Sequence, residues 1–111
     1  MTIREYQEQA MRTLNPALDG KDVLINGVMG LCGEAGEAID LVKKHLAQGH
    51  PLDREQLAKE LGDVAWYLAE TATAIGYDLE AILSANLEKL RARYPNGFET
   101  ERSLLRDETD R

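Results

Sequence analysis

Helix-breaking residues divide this sequence into segments of helix length, and they limit its fold more than any other feature. The breaks lie at Asn15-Pro16, Gly49-His50-Pro51, Gly76 and Pro95-Asn96-Gly97. Between them, apolar residues recur at every third or fourth position, which is the spacing of one face of an α-helix. No segment shows the alternation of apolar and polar residues that is typical of a half-buried strand. The sequence therefore predicts an all-α fold.

Four helical segments are predicted, and they are joined by short connections. They span approximately residues 2–14, 23–47, 53–75 and 78–94. Thr2 and Asp53 are the expected N-caps, and Gln56 follows Asp53 at the spacing of a capping box. Short connections between helices favour an antiparallel bundle of about four helices. We expect one helical domain over residues 1–98 and a charged C-terminal tail over residues 99–111.

The composition is that of a small acidic domain. The 111 residues include 20 acidic and 13 basic side chains, so the net charge is −7. This charge argues against a nucleic-acid partner, because lysine and arginine contacts to phosphate dominate such binding. The sequence has no apolar run of roughly 18 residues, as a membrane span requires, and no signal-peptide pattern at its start. We therefore expect a cytoplasmic protein without a membrane partner.

Glycines recur inside the predicted second helix. They occupy positions 27, 30, 33 and 36. A glycine inside a helix costs about 1 kcal/mol relative to alanine. We therefore expect these glycines to permit close packing or the approach of a ligand. The small size of the chain also favours assembly with further copies, because a small monomer buries a limited fraction of its surface.

Two pairs of carboxylates form the most informative motif. Glu34 and Glu37 lie in the second segment, Glu60 and Asp63 lie in the third, and each pair shares one helix face. The pairs are equally far from the break at residues 48–51, so an antiparallel hairpin would bring them to about the same height. Four converging carboxylates repel one another, and a divalent cation removes that repulsion. Hard oxygen ligands favour Mg²⁺ or Mn²⁺, and Mg²⁺ commonly binds substrate phosphates as well.

A simpler interpretation of these carboxylates also exists. In a chain with 20 acidic residues, pairs at this spacing arise by chance and solvate a helix face. The matched height of the two pairs and the glycines beside them favour the metal site. In the fourth segment, Asn86, Lys89 and Arg93 follow one another at helical spacing, and they form a polar stripe that is suited to binding phosphate groups. The alternative for Lys89 and Arg93 is that they are solvated charges near a helix C-terminus.

These residues resemble the MazG-like all-α nucleoside triphosphate pyrophosphohydrolases. The pattern of that family is E-x-x-E, a spacer, and then E-x-x-D, and here the spacer between Glu37 and Glu60 is 22 residues long. The resemblance covers residues 28–98. Beyond the carboxylates it includes Tyr67, Asn86, Lys89 and the stretch from Arg93 to Phe98.

The resemblance implies a hydrolase that cleaves a nucleoside triphosphate between its α and β phosphates. The products would be the monophosphate and pyrophosphate, the cofactor Mg²⁺ with Mn²⁺ as a substitute, and the assembly a homodimer or homotetramer. The implied metal ligands are Glu34, Glu37, Glu60 and Asp63. Either Glu34 or Glu37 would be the catalytic base, and the resemblance favours Glu34. The implied substrate contacts are Tyr67, Asn86, Lys89 and Arg93, although Tyr67 would serve equally well as a core aromatic residue.

Two other functions agree with the same residues. One is a non-catalytic acidic helical bundle that oligomerises and binds a protein partner. The other is a hydrolase of the same superfamily that is specific for dUTP or other pyrimidine nucleotides. The sequence contains no motif that identifies the base.

Overall fold

The computed structural model describes residues 1–106, and it confirms the all-helical fold over that range. The helices are α1 (Ile3–Met11), α2 (Gly20–Gln48), α3 (Arg54–Ala74), α4 (Leu79–Arg93) and α5 (Thr100–Leu104). Residues 1–106 contain no strand. None of the helices in this part of the chain combines the length and the apolar character that crossing a membrane requires. The chain forms two compact units, Met1–Leu79 and Glu80–Arg111, and the second is described as far as Arg106.

An antiparallel hairpin of α2 and α3 forms the centre of the first unit. Gly49 ends α2 in the left-handed region at φ 72°, and its N–H donates to the carbonyl of Lys44. Glycine adopts this conformation without steric cost, so the chain reverses direction here. Asp53 then caps α3 by accepting a 3.0 Å hydrogen bond from the backbone N–H of Gln56. The hairpin predicted from the break at residues 48–51 is therefore present.

Two of the four glycines at positions 27, 30, 33 and 36 allow α2 and α3 to approach closely. A Cβ atom at Gly27 would lie 2.5 Å from Oγ1 of Thr71, and a Cβ atom at Gly30 would collide with the ring of Tyr67. At Gly33 and Gly36 an added Cβ would meet nothing within 4 Å. The predicted close packing is thus found at Gly27 and Gly30. At Gly33 and Gly36 the described part of the chain leaves room for a side chain.

Polar groups attach α1 to α3 and to the turn that follows it. Gln7 is buried, and its Nε2 donates to Oγ1 of Thr73 at 3.0 Å and to the carbonyl of Tyr77 at 3.1 Å. Its Oε1 accepts a 2.7 Å hydrogen bond from the N–H of Leu79. One side chain thereby satisfies backbone groups in the turn after α3, where Gly76 has a φ of 76°. Arg4 adds an ion pair of 2.8 Å with Asp78.

The second unit contains most of α4 and the short helix α5. Within α4, Arg91 forms a 2.9 Å ion pair with Glu88. The guanidinium of Arg93 lies 5.8 Å from the ring centroid of Tyr94, and that ring packs against Phe98 at 5.3 Å. Helix α5 lies within the predicted charged tail. Residues 107–111 of that tail lie outside the described residues, and the domain boundary after residue 98 stays a prediction.

Candidate active site

Three carboxylates from the two hairpin helices converge in the first unit. Glu34 and Glu37 lie on α2 and Glu60 lies on α3, and one oxygen atom of each is within 4.8 Å of the others. Glu60 is 7% exposed, Glu34 is half-buried and Glu37 is exposed. The convergence follows from the i, i+3 spacing on α2 and from the antiparallel register that Gly49 permits. We call these three residues the carboxylate cluster.

Asp63, the fourth predicted ligand, is not part of the carboxylate cluster. It lies on α3 three residues after Glu60, and it is exposed. Its side chain is one methylene shorter than that of glutamate, so its carboxylate reaches less far from the helix. Its negative charge nevertheless contributes to raising the pKa of Glu34 and of Glu37. The role of Asp63 as a metal ligand stays a prediction.

Two buried oxygen atoms of the carboxylate cluster have no hydrogen-bond partner within residues 1–106. They are Oε2 of Glu34 and Oε2 of Glu60. A buried acceptor without a donor is unfavourable, and each such atom in a native protein calls for an explanation. A cation or a shared proton would supply the missing partner. The cluster therefore fits a hard divalent cation such as Mg²⁺ or Mn²⁺, which binds through oxygen atoms.

The carboxylate cluster shifts the protonation of its own members. The nearby carboxylate of Glu60, which would accept a hydrogen bond from protonated Glu34, raises the pKa of Glu34 to about 7, together with burial and the charges of Glu37, Glu60 and Asp63. The pKa of Glu37 is raised first by the same acceptor, Glu60. The pKa of Glu60 is lowered, first by Glu34 and next by the amide of Gln56. Near neutral pH the cluster thus holds a proton in the position that a cation would compete for.

Gln56 is a residue of the site that the sequence did not indicate. Its backbone N–H binds Asp53 as the capping-box pattern predicts, but its side chain does not complete the box. Instead, Nε2 of Gln56 donates a 2.8 Å hydrogen bond to Oε1 of Glu60. Residues four apart on a helix are neighbours, so this pair was visible in the sequence as an alternative to the capping box.

Tyr67 lies on the α3 face that packs against α2. Its ring covers Gly30 and meets the ring of Trp66 edge-on, with centroids 5.0 Å apart. Trp66 in turn donates from Nε1 to the carbonyl of Ala10 and to Oγ1 of Thr13. Tyr67 is therefore a packing residue between the two helices. Its predicted contact with a substrate stays a prediction.

The three basic and polar residues of the predicted substrate stripe all belong to α4. Asn86, Lys89 and Arg93 are spaced by three and four residues, so they share one side of that helix. They lie in the second unit, whereas the carboxylate cluster lies in the first. Their common role in binding a triphosphate stays a prediction.

A buried carboxylate outside the cluster connects α2 to α3. Glu70 is 0% exposed, and Nδ2 of Asn26 donates to both of its carboxylate oxygens, at 2.8 and 3.1 Å. This contact lies beside the close approach of Gly27 and Thr71. Nothing in the sequence distinguished Glu70 from the other acidic residues, because its burial depends on the packing of two helices.

Comparisons with known proteins agree with this arrangement. Residues 26–98 match the sequence model of the MazG nucleotide pyrophosphohydrolase domain, and this range includes the whole carboxylate cluster and α4. The chain is also similar to the Gene 37 protein of Mycobacterium phage L5, with 41% identity over 73 residues. That match covers 62% of this chain and 64% of the phage protein, so the chain spans less than two thirds of that relative. No solved structure matches the chain. With more than half of its residues matched, the chain belongs to the MazG nucleotide pyrophosphohydrolase domain family.

Proposed function

We propose that this protein is a Mg²⁺-dependent nucleoside triphosphate pyrophosphohydrolase. It cleaves its substrate between the α and β phosphates, and it acts in the cytoplasm to remove unwanted nucleotides from the pool. The observation that carries the proposal is the carboxylate cluster, with its two buried and unpartnered oxygen atoms, within a domain of this family.

The cluster residues have two proposed roles, which are to bind a cation and to accept a proton. Glu34, Glu37, Glu60 and Asp63 are the proposed ligands. Mg²⁺, when bound, would neutralise negative charge on the phosphates and make a water molecule more acidic. Glu34 is the proposed general base, because it belongs to the first carboxylate pair of the family motif, from which the resemblance takes the base. Glu37, the other member of that pair, is the alternative base.

In the proposed reaction, a water molecule attacks the phosphoanhydride. The water oxygen bonds to phosphorus, the bond from that phosphorus to the bridging oxygen breaks, and pyrophosphate and the monophosphate separate. The proton of the water passes to the carboxylate of Glu34. Tyr67, Asn86, Lys89 and Arg93 are the proposed substrate contacts.

A panel of nucleoside triphosphates tests the reaction class. With Mg²⁺ present, we expect phosphate to be detected only after inorganic pyrophosphatase is added, and we expect chromatography to identify the monophosphate. Glu8→Gln removes one exposed charge from α1 and is the control that should keep its turnover. A nucleoside diphosphate with free phosphate as products would contradict the proposal. Activity confined to dUTP or other pyrimidines would support the pyrimidine-specific alternative.

Lys89 is expected to contact the substrate and not the cation. Lys89→Ala should therefore raise KM or lower kcat and leave Mn²⁺ affinity unchanged, because an ammonium group binds the anionic phosphates. Kinetics and calorimetric titration with Mn²⁺ measure the two effects separately. Lys21→Ala, at the exposed start of α2, is the matched control. A loss of Mn²⁺ affinity in Lys89→Ala would remove Lys89 from this role.

We further propose that the protein assembles into a homodimer or homotetramer through α2. Residues spaced by three, four or seven positions form an exposed strip along that helix, here called the α2 strip: Ile25, Met29, Cys32, Gly36, Ile39 and Leu46. Ile39 is 63% exposed and Leu46 is 75% exposed. Large apolar side chains aligned at this spacing are typical of a helix that packs against another helix.

The α2 strip also favours the second candidate function, an acidic helical bundle that binds a protein without catalysis. That function requires no metal. It predicts that Mg²⁺ leaves the melting temperature unchanged and that the nucleotide panel yields no product. A rise in melting temperature with Mg²⁺, together with pyrophosphate release, would exclude it.

A further inference from the structure

The carboxylate of Glu60 is held from one side by Gln56. Nε2 of Gln56 donates to Oε1 of Glu60 at 2.8 Å, while Oε2 of Glu60 is buried and has no partner within residues 1–106. Gln56 is half-buried and Glu60 is 7% exposed, so water has little access to compete for this bond. The two oxygens of one carboxylate are thus distinguished, because one is engaged and the other remains for a ligand.

The backbone of Gln56 is itself fixed. Its N–H donates to Oδ1 of Asp53 at 3.0 Å, which places Gln56 in the capped first turn of α3. The side chain therefore extends from the capped first turn of the helix to a residue one turn further along. An amide suits this position because it offers an N–H donor without adding charge to a cluster that is already acidic. A carboxylate at position 56 would repel Glu60 instead.

From this geometry we propose that Gln56 is a positioning residue, which orients the carboxylate of Glu60 for a divalent cation. The inference rests on the proposed function, since it requires that the carboxylate cluster bind a metal. Partners that hydrogen-bond to a metal ligand fix its orientation, and their loss commonly lowers metal affinity by about 10- to 100-fold. In this proposal Gln56 acts through Glu60 and does not contact the substrate or the reacting atoms.

Gln56→Met tests the proposal without disturbing the helix. Methionine has a similar length and helix propensity but no donor, and the N-cap bond uses the backbone of residue 56. We expect Gln56→Met to bind Mn²⁺ at least about tenfold more weakly in calorimetric titration and to change the electron paramagnetic resonance spectrum of bound Mn²⁺. Gln9→Met, at an exposed glutamine of α1, is the matched control. Melting in EDTA confirms that each variant folds, and Gln56→Ala replaces Gln56→Met if that variant does not.

A double-mutant cycle separates positioning from a general effect on the fold. In a Glu60→Gln background, Gln56→Met should cause no further loss of Mn²⁺ affinity, because the carboxylate that it positions is gone. An equal loss in both backgrounds would overturn the inference. Wild-type affinity in Gln56→Met would also overturn it, while Mn²⁺ binding and hydrolysis by the wild type would leave the proposed function standing. A wild-type protein that neither binds Mn²⁺ nor hydrolyses nucleotides would overturn both.

Discussion

At the scale of single residues, the behaviour of the candidate site depends on how one proton is shared among the carboxylates. Glu34, with a pKa of about 7, and Glu60, with a lowered pKa, form a pair in which one member donates and the other accepts. A cation in the cluster would displace that proton, because both occupy the space between negatively charged oxygens. Metal affinity should therefore fall as the pH is lowered through about 7.

The raised pKa of Glu34 predicts how the stability of the metal-free protein depends on pH. Its pKa rises from an ordinary 4.5 to about 7 on folding, so the folded state binds more protons between these values. The stabilisation from Glu34 is complete below the lower value and is lost as the pH rises through the higher one. Glu34→Gln should remove this loss, because its amide donates to Glu60 at every pH.

Denaturant unfolding in EDTA, from about pH 5 to about pH 8, measures this effect. The free energy of unfolding of the wild type, relative to Glu34→Gln, should decrease across that range. The lowered pKa of Glu60 stabilises the fold across this whole range, because that contribution is lost only as the pH falls below the ordinary value of 4.5. Glu8→Gln controls for the loss of a charge. Parallel curves for wild type and Glu34→Gln would contradict the assignment of the proton to Glu34.

The effect of Glu60→Gln on stability should depend on whether metal is bound. Without metal, removing one negative charge relieves repulsion, so the variant should unfold at a higher denaturant concentration than the wild type. With saturating Mg²⁺ this stability difference should shrink or change sign, because the wild type gains binding free energy that the variant largely lacks. Hydrolysis should fall at least about a hundredfold.

The Glu60→Gln experiment is best performed near pH 8, where Glu34 has lost its proton and repulsion is greatest. If Glu60→Gln responded to Mg²⁺ as the wild type does and kept its turnover, the active-site assignment would be wrong. The result would then favour the non-catalytic acidic bundle over the hydrolase.

Side-chain reach explains how much of the site could be predicted from the sequence. The helical spacing and the position of the turn were sufficient to bring Glu34, Glu37 and Glu60 together. The same spacing placed Asp63 beside them but could not show that Asp63 lies outside the cluster. The role of Gln56 depends on which bond its side chain makes. The side chain could accept from the backbone N–H of Asp53, as in a capping box, or donate to Glu60, and both bonds fit the same sequence pattern.

At the scale of helices, the close packing of α2 against α3 keeps the carboxylates of the candidate site together. Gly30 determines this distance at the level of Tyr67, one turn from Glu34. The breaks at residues 48–51 and the apolar periodicity on either side were sufficient to predict the hairpin. Helix ends were predicted less well, since α2 begins at Gly20 instead of near Val23, with Asp19 as its N-cap. The docking of α1 through Gln7 was not predictable, because it depends on backbone groups in a distant turn.

Gly30→Ala should destabilise the hairpin. The added Cβ would collide with the ring of Tyr67, so α2 and α3 must separate or the ring must move, at a cost of about 1–3 kcal/mol. Gly62→Ala is the matched control, because its Cβ would meet nothing within 4 Å and alanine favours the helix by up to about 1 kcal/mol. Thermal unfolding measures both variants. Equal stabilisation by the two substitutions would show that Gly30 does not set the helix separation.

At the scale of the whole molecule, net charge and the α2 strip have opposing effects on assembly. The charge of −7 repels a second copy, whereas the α2 strip is mostly apolar or small and is exposed. Salt screens the repulsion and leaves the apolar contact in place. Assembly should therefore strengthen as the salt concentration rises.

Light scattering after size-exclusion chromatography should give a mass that is a multiple of 12.4 kDa at micromolar concentration. Ile39→Asp places a charge in the centre of the α2 strip and should shift the protein towards the monomer. Leu105→Asp, at an 82% exposed leucine outside α2, is the control and should leave the mass unchanged. A single 12.4 kDa species for the wild type at every salt concentration would contradict the proposed assembly.

The environment of Trp66 gives this molecule an optical reporter of its own. The sequence contains one tryptophan, and its indole N–H binds the carbonyl of Ala10 and the hydroxyl of Thr13 while its ring touches Tyr67. Its fluorescence therefore comes from the junction of α1 with α3, beside the aromatic ring that covers Gly30. Release of α1 would expose the indole to water and move its emission to longer wavelength. Local detachment of α1 can thus be followed without an added dye.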